Sequence, residues 1–180
     1  MRLPVRMLAI VAAMLVQLTA AVGIAEAQKP NRPGASDDAA TEASIQATTL
    51  ILRNRGSNKC LEVLYFSTAN NAPAGQYTCD GASSQHWQYD GPSGLIRNVY
   101  SGKCLEVLYF STANNAQVGQ YTCDGAVSQR WILDQTIGVV YNTYTNKCLD
   151  ILGGSTANNA LAVQYDCQPY ASQNWLVGYV

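Results

Sequence analysis

Histidine occurs once in this 180-residue chain, as His86, phenylalanine twice, and charged residues make up only 13%. A lone histidine works against Ser-His-Asp catalysis and against histidine-ligated metal sites. Eleven Lys plus Arg face twelve Asp plus Glu, for a formal net charge of −1. The basic face that a nucleic-acid backbone requires is therefore missing. No two cysteines stand at the C-x2-4-C spacing of a zinc knuckle. No glycine-rich phosphate loop is present, and no window carries the long 3.6-residue apolar period of a helix. Together these absences exclude a cofactor, a metal site and a nucleic-acid partner from the expected function. Tyrosine is what the chain has in quantity, with eleven copies beside three Trp. Its flat apolar ring and polar tip suit half-wet contacts.

The N-terminus reads as an export signal. Arg2 and Arg6 precede an apolar run from Met7 to Gly23, broken only by Gln17 and Thr19, and Ala25-Glu26-Ala27 supplies a small-residue cleavage pattern. A membrane anchor is the rival reading of that run; the cleavage pattern favours a signal peptide over residues 1–27. The mature chain is then expected to be secreted, with no membrane span. Residues 28–47, with Pro30, Pro33 and Gly34 and no apolar period, read as a flexible spacer. In an exported chain six cysteines imply three disulfides.

Residues 48–180 are one unit written three times. Cys60, Cys104 and Cys148 stand 44 residues apart, as do Cys79, Cys123 and Cys167, and Trp87, Trp131 and Trp175. KCLEVLYFSTANNA opens at Lys59 and again at Lys103; the third copy, from Lys147, reads KCLDILGGSTANNA. A fixed period over three copies, about 50–93, 94–137 and 138–180, implies a closed body with threefold pseudosymmetry. Within the first copy the strand candidates are 48–54, 59–64, 74–79 and 85–90, separated by Gly, Asn and Ser turns. Four strands in each of three copies predict an all-β barrel of twelve strands closed by hairpins.

Q-x-W recurs as Gln85-His86-Trp87, Gln129-Arg130-Trp131 and Gln173-Asn174-Trp175, each after a K-C-L-[ED]-[VI] strand and a Q-Y-x-C strand. These residues resemble the ricin-type β-trefoil lectin family, whose members also serve as carbohydrate-binding modules of secreted glycosidases. The resemblance spans about residues 48–180 and implies a β-trefoil that binds glycans or polysaccharide. It assigns the sugar-gripping acid to Glu62, Glu106 and Asp150, the stacking aromatic to Tyr77, Tyr121 and Tyr165, and a supporting polar residue to Gln85, Gln129 and Gln173. Galactose and xylan-type ligands are common among relatives. This chain departs from the family pattern in three places. Two acids are Glu rather than Asp, the polar residue two before the aromatic is Gly75, Gly119 or Val163, and the Asn before Q-x-W is Ser84, Ser128 or Ser172.

Alternation along the strands argues for the same pairs independently. Leu61 and Val63 share one face, expected to point to the core, which turns Cys60 and Glu62 outward. Tyr77 and Cys79 share a face. If Cys60 bonds Cys79, Glu62 and Tyr77 flank one shallow solvent-facing spot; Glu106 with Tyr121, and Asp150 with Tyr165, follow. A carboxylate takes hydrogen bonds from vicinal hydroxyls and a ring packs on the apolar face of a pyranose. Such a site binds at about 0.1–1 mM. The acids repeat once per copy on different sides of the barrel, so they do not converge on a cleft as glycosidase carboxylates must, and no enzymatic activity is expected. The Trp residues read as core plugs, the Asn pairs 70–71, 114–115 and 158–159 as turn formers, and His86 as a surface residue. Leu64-Tyr65-Phe66 and Leu108-Tyr109-Phe110 read either as a platform beside the pocket or as packing between copies. The expected molecule is a secreted monomeric lectin; the alternative is a trefoil protein-interaction or inhibitor domain with vestigial sugar sites.

Overall fold

The computed structural model describes residues 48–180. The expected signal peptide and spacer, residues 1–47, lie outside the described residues. Twelve strands follow, four per repeat. The first repeat holds β1 (Thr49–Asn54), β2 (Cys60–Val63), β3 (Ala72–Tyr77) and β4 (Trp87–Asp90). The second holds β5 (Leu95–Asn98), β6 (Cys104–Val107), β7 (Ala116–Tyr121) and β8 (Trp131–Asp134). The third holds β9 (Val139–Asn142), β10 (Lys147–Ile151), β11 (Ala160–Tyr165) and β12 (Trp175–Tyr179). No α-helix occurs among the described residues. Two strands of the first repeat differ from the sequence expectation by two residues. β3 starts and ends two residues earlier, and Gln85 sits in a 3-10 turn (Ser83–Gln85) rather than in β4. The turn forms because the Gln85 N–H donates to the Ala82 carbonyl (2.9 Å), while its side-chain oxygen takes the Asp80 N–H (3.2 Å).

Closure follows from how the repeats share strands. The hairpins β2–β3, β6–β7 and β10–β11 meet at one end, where β3, β7 and β11 all pair with one another. Elsewhere β1 joins β12 and β4, so the first strand closes on the last. Single backbone bonds, Trp131 N–H to Gly94 O (2.8 Å) and Trp175 N–H to Gly138 O (2.7 Å), join the two ends of the second and third repeats, as the β1–β4 pairing does in the first. The apolar alternation faces inward as expected: Leu61, Val63, Leu105, Val107, Leu149 and Ile151 join one core with Trp87, Trp131 and Trp175. Each indole N–H donates to the carbonyl of Leu61, Leu105 or Leu149 at 2.9–3.0 Å. A buried indole with its donor satisfied fills volume without an unpaired polar group, so the tryptophans are core plugs.

Buried glutamines fasten the repeats to one another. Gln76 donates to the carbonyls of Ser155 (2.8 Å) and Ala157 (3.0 Å) in the third repeat. Gln120 does the same to Ser67 and Ala69 of the first, and Gln164 to Ser111 and Ala113 of the second. Each S-T-A-N-N loop is thus held by the neighbouring repeat.

The turn after each second strand has an unusual backbone. Leu64–Phe66, Leu108–Phe110 and Leu152–Gly154 form 3-10 turns with two successive left-handed residues. Tyr65 lies at φ 60°, ψ 24° and Tyr109 at φ 59°, ψ 23°, beside Gly153 at φ 64°, ψ 16°. Phe66 (φ 50°) and Phe110 (φ 54°) match Gly154 (φ 63°). Glycine adopts this conformation freely; a residue with a Cβ costs about 1–2 kcal/mol there. The first two repeats therefore carry aromatic side chains on a backbone that the third builds from glycine.

Candidate functional site

Strand register brings the expected pairs together. Within the first hairpin Cys60 lies opposite Tyr77 and Glu62 opposite Gly75, so Glu62 and Tyr77 are diagonal neighbours on one face. Glu106 and Tyr121 stand in the same relation, as do Asp150 and Tyr165. The bonds Cys60–Cys79, Cys104–Cys123 and Cys148–Cys167 hold Cα atoms 5.0–5.1 Å apart at the base of each hairpin. Each closes a loop across 19 residues, worth about 3 kcal/mol by loop entropy.

One expectation needs correction. Cys60 and Glu62 are not solvent-facing: Cys60 is fully buried and Glu62 is only 5% exposed. Alternation gives the face, but the segment from Asp80 to Gln85 folds over it. Gln85 Nε2 donates to Glu62 Oε2 (2.9 Å) and to the Thr78 carbonyl (2.9 Å). Gln129 holds Glu106 Oε2 (2.8 Å) and the Thr122 carbonyl, and Gln173 holds Asp150 Oδ2 (2.9 Å) and the Asp166 carbonyl. The Q-x-W glutamines thus position the acids at a cavity floor.

The second carboxylate oxygen differs among the three. In the third repeat Asp150 Oδ1 is buried with no protein partner. In the second, Ser128 Oγ donates to Glu106 Oε1 (3.2 Å). In the first, the equivalent Ser84 hydroxyl is buried without a partner. Burial raises the Glu62 pKa above its ordinary value of 4.5; the Gln85 hydrogen bond opposes the rise and the nearby Asp80 charge adds to it.

Three surface cavities form over these acids. Glu62, Tyr77, Asp80, Tyr65, Phe66 and Asn159 line the first, of about 340 Å³. Glu106, Tyr121, Asp124, Tyr109, Phe110 and Asn71 line the second, of about 360 Å³. The third, of about 560 Å³, has Asp150 and Tyr165 with Tyr170, Asn115 and three glycines, Gly56, Gly153 and Gly154. Every cavity therefore crosses a repeat boundary, since its asparagine comes from the neighbour, and the third also takes Gly56 from the first repeat. Within each Asn pair the first residue is a latch. Asn70 Oδ1 takes the Thr122 N–H (3.1 Å), Asn158 Oδ1 the Thr78 N–H and Asn114 Oδ1 the Asp166 N–H. The second, Asn71, Asn115 or Asn159, is left-handed at φ 63° and lines the next cavity.

Sequence reasoning missed these asparagines and also Asp80 and Asp124, which put a second carboxylate in two of the cavities. The signal for the asparagines was their exact threefold repetition; that for the aspartates was weaker, because the third copy has Gln168. Asp80 Oδ1 and Asp124 Oδ1 each cap a turn by taking the N–H of Ala82 or Ala126 (3.0 Å). His86 is half-buried, Arg130 exposed and Asn174 half-buried, and none of them lines a cavity over an acid. Among the described residues no cluster of three or more metal-ligating side chains occurs and no helix is long and apolar enough to cross a membrane.

Comparison with known proteins places this arrangement. Residues 48–175 match the family model of the ricin-type beta-trefoil lectin domain. A designed threefold-symmetric protein, ThreeFoil, is 31% identical with a TM-score of 0.68, over 72% of this chain and 96% of that one. An exo-β-1,3-galactanase from Clostridium thermocellum is 29% identical with a TM-score of 0.69, over 76% of this chain but only 31% of the enzyme. The C-half of an earthworm R-type lectin, solved with GalNAc, shares the fold at 12% identity and a TM-score of 0.62, over 74% of this chain and 99% of that one. A search of curated protein sequences finds no match.

Proposed function

The chain belongs to the ricin-type β-trefoil lectin family, and from that premise we propose that it is a secreted, non-catalytic, monomeric lectin with up to three weak sugar sites. The observation that carries this reading is the same in each repeat: a carboxylate on a cavity floor, held by a Q-x-W glutamine through one oxygen, beside a half-buried tyrosine. The held oxygen fixes the carboxylate, and its remaining acceptor capacity is available to vicinal hydroxyls. Tyr77, Tyr121 or Tyr165 offers a ring to the C–H face of the same pyranose. Residues 1–27 serve as the export signal, 28–47 as a spacer and 48–180 as the lectin domain. Two carboxylates in one cavity do not make this a glycosidase, because Asp80 and Asp124 are committed to turns and the third repeat has none at that position.

The test is retention on a glycan array, repeated with the triple variant Glu62→Gln, Glu106→Gln, Asp150→Asn. Wild-type protein is expected to be retained by one sugar class and released by millimolar monosaccharide, with a per-site Kd on the order of 0.1–1 mM. The triple variant should lose retention while melting at nearly the wild-type temperature, since each amide can still accept from its glutamine. A folded wild-type protein that no glycan retains would replace this reading with the protein-interaction one.

A further inference from the structure

We propose that the first two sites are extended subsites: Tyr65-Phe66 and Tyr109-Phe110 stack on the sugar ring next to the one held at Glu62 or Glu106, so these sites select an oligosaccharide. The third site has Gly153 and Gly154 where these rings stand and lacks that platform. This inference rests on the carbohydrate reading above and adds the ligand's length.

Five observations carry it. The aromatics sit where the backbone is left-handed, at positions the third repeat fills with Gly153 and Gly154. Glycine would relieve that conformation, so packing economy does not explain them. Nor does burial: Tyr65 is 72% exposed, Tyr109 75%, and Phe66 and Phe110 51% each. Phe66 does touch a ring of the next copy, Tyr100, but half or more of each of the four side chains stays open. Both pairs line the cavity of the acid in their own repeat, beside Tyr77 or Tyr121.

A third position varies with them. Tyr100 meets Phe66 edge to face, with ring centroids 5.6 Å apart at 89°. The equivalents 44 residues away are Tyr144 and Gly56. Gly56, Gly153 and Gly154 all line the third cavity. Aromatic pairs line the first two cavities where the third has Gly153 and Gly154, and Tyr100, against Phe66, has Gly56 as its counterpart at the third, so the sites divide into two kinds. Finally, Leu64 and Leu108 are buried beneath their aromatic pairs in the notches left by Gly75 and Gly119. Val163 fills the third notch, and Leu152 there is 40% exposed. The anchored leucine fixes the turn, so the rings are presented with little freedom to lose. Rigid aromatic surface of this kind binds at low entropic cost.

The experiment is calorimetric titration with galactose, β-1,3-galactobiose and galactotriose, and with xylose, xylobiose and xylotriose. Asp150→Asn protein isolates the first two sites. In the same background Tyr65→Gly, Phe66→Gly, Tyr109→Gly and Phe110→Gly transplant the third repeat's residues, which the left-handed backbone accepts, so the melting temperature is expected to stay or rise. In one of the two series the oligosaccharide should bind about tenfold or more tightly than the monosaccharide, and the glycine variant should bring that ratio to about one. A flat chain-length series in Asp150→Asn protein, or an undiminished ratio in the glycine variant, overturns the inference while leaving the lectin reading standing. No binding of any of these sugars by wild-type protein overturns both.

Discussion

Glu62 is an acid held against its own chemistry. Its carboxylate lies at a cavity floor, 5% exposed, with one hydrogen bond from Gln85 and the Asp80 charge beside it. Because burial raises its pKa, the folded protein binds the Glu62 proton more tightly than the unfolded chain does. Stability from this group is therefore present at low pH and is lost as pH rises from the ordinary value of 4.5 through the raised one. Sugar binding runs the other way, since protonation removes the acceptor. Glu62→Gln should accordingly melt no lower than wild type at pH 7, and the difference should shrink as pH falls toward 4.5. In protein carrying Glu106→Gln and Asp150→Asn, first-site binding should weaken on acidification before the ordinary carboxylate range is reached. Thermal melts and titrations from pH 4 to 8 check both; a Glu62→Gln protein markedly less stable at pH 7 would make the carboxylate a structural group. Alternation in the sequence identified this residue and its tyrosine partner. It misjudged the exposure, because a period of two reports which face a side chain takes and not what folds over that face.

At the scale of the element, each of the first two hairpins couples a glycine to a leucine. A Cβ on Gly75 would stand 2.5 Å from the Ala160 carbonyl oxygen and 2.8 Å from Leu64 Cδ1. One on Gly119 would meet the Ala72 oxygen at 2.5 Å and Leu108 Cδ1 at 3.0 Å. The backbone contact cannot give way easily, and the leucine must move to make room. Gly75→Ala is therefore expected to cost about 1–3 kcal/mol by overpacking and to push Leu64 toward the exposure that Leu152 has beside Val163. Chemical denaturation measures the first, and the wild-type midpoint in the variant would show that the hairpins can separate freely. The sequence marked Gly75 and Gly119 only as departures where the family has a polar residue. Its strand pattern reproduced the hairpins to within two residues, since alternation and turn chemistry are local. The close approach of β3 to β11 is not local, and so the reason for glycine was not legible.

The whole molecule is a threefold body whose sites are built across repeat boundaries. The period of 44 residues announced the symmetry, and the Q-x-W and cysteine spacing announced the trefoil. Which asparagine serves which acid was not announced, because Asn159 reaches the first cavity, Asn71 the second and Asn115 the third only after the chain closes on itself. Cyclic pairing of β3, β7 and β11 turns the three cavities away from one another, so one molecule can hold separate segments of a polymer. On the proposed reading, three weak sites on such a frame would gain on a polysaccharide what none has alone, about 10²-fold or more in apparent affinity when the spacing allows joint engagement. The protein is therefore expected to cross-link β-1,3-galactan or xylan, read as turbidity that millimolar monosaccharide reverses. Glu62→Gln with Glu106→Gln leaves one site; that variant should still take up the free sugar at the third site yet produce no turbidity. Turbidity that survives in the one-site protein would require a second copy of the chain in the cross-link, and monomeric, trivalent binding would give way to an oligomer.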